Sequence, residues 1–228
     1  MRIIKKQEYL DLEKFMIFCM NDSVHDKLHV YRVVNYAAQI ADATENADFD
    51  VVITAALLHD IGRVDEYENP GKNHAETGSK KAREFLLSSG YSLLFSEKVE
   101  YCILSHRHKK GALPESLEAK ILYDADKLDL IGCVGTARAI LFGGQIDEPL
   151  YVLNAKGQPT YGSPEEVPSL FREYHRKLQN LSSTLYTDAG IRIAITQQQM
   201  MNQYFERLID EVNQNHSNGN RIINRKLE

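Results

Sequence analysis

The sequence predicts an all-α fold, and three observations carry the prediction. Apolar residues recur at helical spacing in segment after segment. Side chains suited to opening a helix precede several of these stripes, and glycines follow them. One run, Val51-Val52-Ile53-Thr54-Ala55-Ala56-Leu57-Leu58, is apolar almost all the way round, which is the pattern of a helix buried on every side.

In chain order, Ser23 with Asp26 three residues later makes a capping-box-like start. Val30, Val33, Val34, Ala37, Ala38 and Ala41 form the stripe of the helix that follows. A short acidic turn leads to the buried helix, which Asp50 can cap and Gly62 can end. Residues 65–73 form a polar loop with the turn signal Pro70-Gly71. A helix over about residues 75–89 is closed by Gly90. Ser96 can cap the next helix, whose inward face is Val99, Cys102, Ile103 and His106. A longer helix follows from about Leu117, with Leu122, Asp126 and Asp129 near one face. Gly132 and Gly135 interrupt it, each costing about 1 kcal/mol against alanine in a helix interior. Residues 143–168 hold four of the six prolines and little periodicity, so they read as a long connection. Such a segment is usually a functional lid or a disordered one; here it reads as part of a pocket rim, or as a connection packed away from the site or at an oligomer contact. Two further helices, over about residues 168–183 and 191–213, form a hairpin, and residues 215–228 are a polar tail. The whole reads as one domain over 1–214, with 143–168 as a loop-rich insertion.

Composition sets the class. With 43% hydrophobic and 26% charged residues, the 228-residue chain is an ordinary globular protein and not a disordered one. A net charge of −5 gives no basic field for a polynucleotide or an anionic membrane, although it says nothing about a local basic pocket. Cys19, Cys102 and Cys133 are sparse and unpaired in sequence, as reduced thiols in a cytosolic protein are. No apolar run is long enough to span a bilayer, and the N-terminus lacks the apolar core of a signal peptide. The expectation is a soluble, cytoplasmic protein.

The chemistry gathers around His59-Asp60, directly after the buried run. An imidazole and a carboxylate at the end of a buried helix are costly unless something pairs with them. The dipeptide alone reads equally as a salt-bridged core pair or as two ligands reaching one metal ion. It does not stand alone. Upstream lies Ser23-Val24-His25-Asp26-Lys27-Leu28-His29-Val30-Tyr31-Arg32-Val33, and downstream Asp124-Ala125-Asp126-Lys127-Leu128-Asp129. With His29, His59-Asp60 and Asp126 in this order, the sequence resembles the HD-domain superfamily of metal-dependent phosphohydrolases. More narrowly, it resembles the bacterial branch with SHDxxHxxRV, LLHDI and DADKLDxIG patterns. The resemblance extends through Gly132, Gly135 and Ala137-Arg138.

The resemblance implies an all-α HD-domain helical bundle of about eight to ten helices. It implies one divalent ion held by His29, His59, Asp60 and Asp126. The imidazole and carboxylate donors suit Mn, Fe, Co, Ni or Mg, and the lack of thiolates argues against a structural zinc site. In some HD enzymes further histidines carry a second metal; here His74 and His106 are the candidates. They read alternatively as proton donors to a leaving group, as a helix cap and as a buried hydrogen-bonded ring. His108 looks solvent-facing. Arg32 and Lys127 flank ligands and suit phosphate, with Arg138 as a weaker candidate. Lys127, Asp60, His74 and His106 are the expected catalytic residues. Asp129 orients a ligand, binds a substrate hydroxyl, or is an N-cap or surface group; His25 supports a ligand; Asp65 positions water or is a solvated loop carboxylate.

The expected activity is hydrolysis of a small phosphorylated molecule, with a nucleotide as leading candidate and phosphate or pyrophosphate as product. Hydroxide generated at the metal would attack phosphorus. A metal-containing nucleotide-binding regulator without turnover is the alternative. A purely structural helical scaffold leaves the buried His-Asp pairs unexplained. Polynucleotide and membrane partners are disfavoured, and a homodimer is left open.

Overall fold

The computed structural model of the protein describes residues 4–20, 27–107, 113–160 and 167–227. The fold is all-α. Among the described residues, ten α-helices accompany a single hairpin of two-residue strands. None of these helices is long and apolar enough to cross a membrane.

The chain divides into two compact units, Met1–Asp129 with Leu185–Arg192, and Leu130–Thr184 with Ile193–Glu228. The first contains α1 (Lys6–Met20), α2 (Lys27–Asp42), α3 (Phe49–Leu58), α4 (Arg63–Glu68), α5 (His74–Ser88), α6 (Leu93–Ser105) and α7 (Leu117–Leu128). The buried, mostly apolar α3 is its centre, in contact with α1, α2, α5, α6 and α7. Val51, Val52, Leu57 and Leu58 have no accessible surface. Each such side chain contributes about 1.5–3 kcal/mol of burial. Gly62 and Gly78 bring the backbones of the turn after α3 and of α5 together; a Cβ on Gly62 would lie 2.2 Å from the His74 carbonyl oxygen. Asp124 on α7 accepts from the Tyr186 and Thr187 amides and the Thr187 hydroxyl, which fixes Leu185–Arg192 within this unit.

Helix boundaries depart from the sequence reading at several caps. The N-cap of α3 is Asp48, whose carboxylate accepts from the Val51 amide, while Asp50 sits inside the helix and accepts from the Ile4 amide at 2.6 Å. Gly62 does not end α3; the helix stops at Leu58 with His59 as C-cap. Ser92 caps α6, and Ser96 lies one turn inside with its hydroxyl on the Ser92 carbonyl. Helix α1 has only a thin buried stripe of Leu12, Met16 and Met20, which the sequence reading passed over. The long helix expected from Leu117 stops at Leu128, and a new one starts at Gly132 with a φ of +71°. Ser23, His25, Asp26 and His108 lie outside the described residues.

The second unit holds α8 (Gly132–Gln145), β1 (Val152–Leu153), β2 (Pro159–Thr160), α9 (Leu170–Arg176) and all of α10 (Asp188–Leu227) after Arg192. The strands pair antiparallel, Val152 opposite Thr160. This hairpin lies within the expected 143–168 connection, of which residues 161–166 fall outside the description. The helix expected over 168–183 is broken at Lys177 (φ −133°) and resumes as a 3-10 turn, Leu178–Thr184. Tyr174 stacks on Phe205 at 4.0 Å, and Gln198 holds the Leu178 carbonyl and the Ser182 amide. The segment expected as a tail continues α10 through Leu227.

Candidate metal centre

Two helix ends and two helix starts bring four imidazoles together in the first unit. His59 is the C-cap of α3 and His106 the C-cap of α6. Each ring turns back over its own last turn: His59 Nδ1 donates to the Ala56 carbonyl at 2.8 Å, and His106 Nδ1 to the Ile103 carbonyl at 2.6 Å. A carbonyl only accepts, so Nδ1 carries the proton in both rings and Nε2 presents a lone pair. The same bond satisfies a carbonyl that a helix end leaves without an intrahelical partner. His29, in the first turn of α2, donates from Nδ1 to Asp129 at 2.7 Å, and His74, first residue of α5, from Nδ1 to Glu66 at 2.6 Å. Arg107 also approaches His74 Nδ1, at 3.0 Å, but is bound to Glu66 as well, so the carboxylate is the acceptor for both.

All four Nε2 atoms therefore face inward, and Asp60 lies between them. Its Oδ2 is 3.6 Å from His29 Nε2 and 3.6 Å from His59 Nε2. Its Oδ1 is 3.4 Å from His74 Nε2 and 3.8 Å from His106 Nε2. Asp126 Oδ1 completes the first side, 3.4 Å from His29 Nε2. Two donor sets result, His29 with His59 and Asp126, and Asp60 with His74 and His106, every member buried. The facing nitrogens are 3.4 Å apart between His29 and His59 and 3.3 Å between His74 and His106. Bonds of about 2.1 Å to one ion at angles of about 90–110° place donors about 3.0–3.4 Å apart, so the spacing and chemistry of these donors fit divalent cations. The C-terminal ends of α3 and α6 add the negative ends of two helix dipoles.

The electrostatics agree. Burial lowers the pKa of His59, as it lowers those of His74, to about 4 with the charge of Arg63 contributing, and of His106, to about 3 with His59 contributing. These three rings are neutral at neutral pH. His29 differs: burial works against its charge, but hydrogen bonds to Asp126 and Asp129 and the charge of Asp60 outweigh it and raise the pKa to about 9. Burial alone would raise Asp60 and Asp126; His59 and Arg63 hold Asp60, and Lys127 and His29 hold Asp126, well below the usual carboxylate range.

The structure thus brings together His29, His59, Asp60 and Asp126 and sets His74 and His106 on the far side of Asp60. Arg32 lies on Asp129, with Nε 2.5 Å from Oδ1, and Lys127 Nζ lies 2.7 Å from Asp126 Oδ2 and 4.7 Å from the Tyr123 ring. Asp65 is paired with Lys81 at 2.5 Å. Arg138 lies on α8, in the second unit. Sequence reasoning missed Arg63, Glu66 and Arg107. Arg63 Nε donates to Asp60 Oδ1 at 3.0 Å, an i, i+3 pair the spacing could have suggested. Glu66 and Arg107 are 41 residues apart, and no local signal joins them.

Comparison with known proteins identifies the family of the chain. The HD domain family model matches residues 28–131, a stretch that holds every donor named above. The chain is 30% identical over 216 residues to the uncharacterized protein YpgQ of Bacillus subtilis, covering 93% of this chain and 96% of that one. The crystal structure of Bacillus subtilis YpgQ in complex with ADP superposes with a TM-score of 0.71 at 27% identity, over 90% of this chain and 95% of the other. A "predicted HD superfamily hydrolase" from an uncultured Thermotogales bacterium superposes with a TM-score of 0.62 at 29% identity, over 92% and 94%. On these grounds the chain belongs to the HD-domain superfamily and has the fold of the HD-superfamily hydrolases.

Proposed function

We propose that the protein is a metal-dependent phosphohydrolase acting on a small phosphorylated molecule, with nucleotides as the substrate class. The observation that carries this is the set of four histidines whose Nδ1 atoms all have acceptors, leaving four Nε2 atoms directed at the two oxygens of one buried aspartate. The relative crystallised with ADP supports the nucleotide.

His29, His59, Asp126 and Asp60 would hold one ion, and His74 and His106, together with Asp60, would hold a second. A divalent ion supplies Lewis acidity there, lowering the pKa of a coordinated water and polarising a phosphoryl oxygen. Asp129 holds the His29 tautomer, and Arg32 in turn holds Asp129. An ammonium has three N–H donors and Asp126 takes one, so Lys127 can give another to a phosphoryl oxygen while staying in place. His74 and His106 are assigned as ligands and not as acids: neutral rings whose only proton is committed at Nδ1 have none to give a leaving group.

The test is a nucleotide panel assayed with manganese on protein purified without chelator, the product formed in 18O-water being analysed by mass. We expect turnover that EDTA abolishes and label in a phosphorus-containing product. Lys127→Met should lower kcat/KM by about 10–100-fold with bound manganese unchanged. Label in the sugar would refute attack at phosphorus, and bound metal without turnover on any nucleotide would favour the regulator.

A further inference from the structure

Each carboxylate at the centre has its own cation. Asp60 pairs with Arg63, Asp126 with Lys127, Asp129 with Arg32 and Glu66 with Arg107. These charges cancel before any ion arrives. Every divalent ion added therefore leaves the centre more positive, inside a buried space where like charges are weakly screened.

The two donor sets do not meet this excess equally. Asp126 receives Lys127 on Oδ2 and faces His29 with Oδ1. An ion in the first set thus meets at this oxygen only His29, itself a member of the set, and no salt bridge from Lys127. Asp60 receives Arg63 on Oδ1, the oxygen that faces His74 and His106. An ion in the second set must share that oxygen with a guanidinium, whose N–H also lies 3.7 Å from Glu66.

We infer that the first set fills alone and that the second takes its ion only together with an oligophosphate anion, with Arg63 as the positioning residue that enforces the coupling. The anion supplies the missing negative charge and gives the guanidinium other oxygens to bind. This rests on the two-ion reading proposed above, and coupling of this kind is reciprocal: the anion binds more tightly when the second ion is present.

Manganese binding to the full chain, followed by equilibrium dialysis and electron paramagnetic resonance, tests it without turnover. Three samples are compared: no anion, a methylene-bridged nucleoside triphosphate analogue, and methylenediphosphonate, which carries no nucleoside. The expected result is one ion per chain alone and two, giving an exchange-coupled spectrum, with the anion. Coupling by both anions assigns recognition to the phosphate chain, coupling by the analogue alone assigns it to a nucleotide, and either supports the inference. Arg63→Gln should bind the second ion about tenfold more tightly without anion, and Arg63→Lys should behave as the wild type. Two ions in the wild type without anion, or one ion in every sample, would overturn the inference and leave a metal centre standing. An Arg63→Gln protein, shown folded by circular dichroism, that binds like the wild type would overturn the role of Arg63. No bound manganese in any sample would overturn the metal-centre reading itself, and the inference with it. The comparison of anions in the wild type needs no variant.

Discussion

If the first set holds an ion as proposed, loading it should expel one proton, from His29. His29 is the one histidine of the four whose pKa is raised, to about 9, because its ring lies between Asp126 and Asp129. In the metal-free protein its Nε2–H points at Asp126, so the proton occupies the place an ion would take. His59, His74 and His106 are shifted down and are already neutral at pH 7, and Asp60 and Asp126 are already ionised. The count is one proton per first ion, not four. At pH 7, two units below a pKa of about 9, competition weakens apparent affinity about a hundredfold, or about 2.7 kcal/mol. Affinity should then rise about tenfold per pH unit up to about pH 9. Calorimetric titration with manganese in buffers of different ionisation enthalpy measures the proton number directly, and a series from pH 6.5 to 8.5 gives the slope. Asp129→Asn removes one carboxylate that holds the proton, so proton release should fall and the slope flatten. A pH-independent affinity, or release of two or more protons, would show that the charge balance drawn here is wrong.

Two further outcomes follow from the same geometry. The metal-free protein should be most stable near neutral pH. His29, with its pKa raised above the unfolded 6.5, stabilises fully below that value and loses this as pH rises through about 9; His74 and His106, depressed to about 4 and about 3, resist protonation that the unfolded chain accepts. Each of these two should cost about 1.4 kcal/mol per pH unit on acidification below about 6.5, read from urea midpoints in EDTA, and a flat profile there would contradict their neutral state. Gly62→Ala would place a Cβ 2.2 Å from the His74 carbonyl oxygen and 2.7 Å from the Gly78 amide, both backbone atoms. Relief requires about 1 Å of movement at a cost of about 1–3 kcal/mol, so the melting temperature should fall by several degrees and the second donor set should lose its ion; an unchanged melting curve would place the turn elsewhere.

What the sequence disclosed depended on how far each signal reached along the chain. Helix α3 was plain because burial on all sides leaves no polar face to confuse the pattern, and the stripes of α2, α5 and α6 were plain for the opposite reason. Helix α1 was hidden because exposed Ile17 and Phe18 blur the stripe of Leu12, Met16 and Met20. The choice between Asp48 and Asp50 as cap is set by backbone dihedrals, which two aspartates of equal capping ability do not reveal. At the centre, His29, His59, Asp60 and Asp126 were legible as an ordered set. His74 and His106 were legible as candidates for the site, but which of ligand, proton donor or structural group each is was not. Glu66 and Arg107, which hold His74, come from opposite sides of α5 in sequence and meet only in the fold. Gly62 was read as a helix stop when its work is to let α5 approach, a contact between backbones that composition does not show.

The placement of His59 and His106 explains how a metal centre can be assembled from helix ends with little added machinery. A histidine at a C-cap has a carbonyl three residues back that needs a donor, and its Nδ1–H reaches it at 2.8 Å from His59 and 2.6 Å from His106. That single bond closes the helix, fixes the tautomer and aims Nε2 away from the helix, along the direction in which the dipole favours positive charge. His29 and His74, near helix starts, instead donate from Nδ1 to carboxylates brought from elsewhere, Asp129 and Glu66. The two kinds of ligand should therefore respond differently to the loss of their support. Removing Asp129 or Glu66 frees the ring and unbalances a cation, Arg32 or Arg107, whereas the support of His59 and His106 is main chain and no side-chain substitution removes it. The C-cap histidines are held by main chain, and the two carboxylate-held histidines, with Arg63 on Asp60 Oδ1, are the ones whose positions depend on charged side chains.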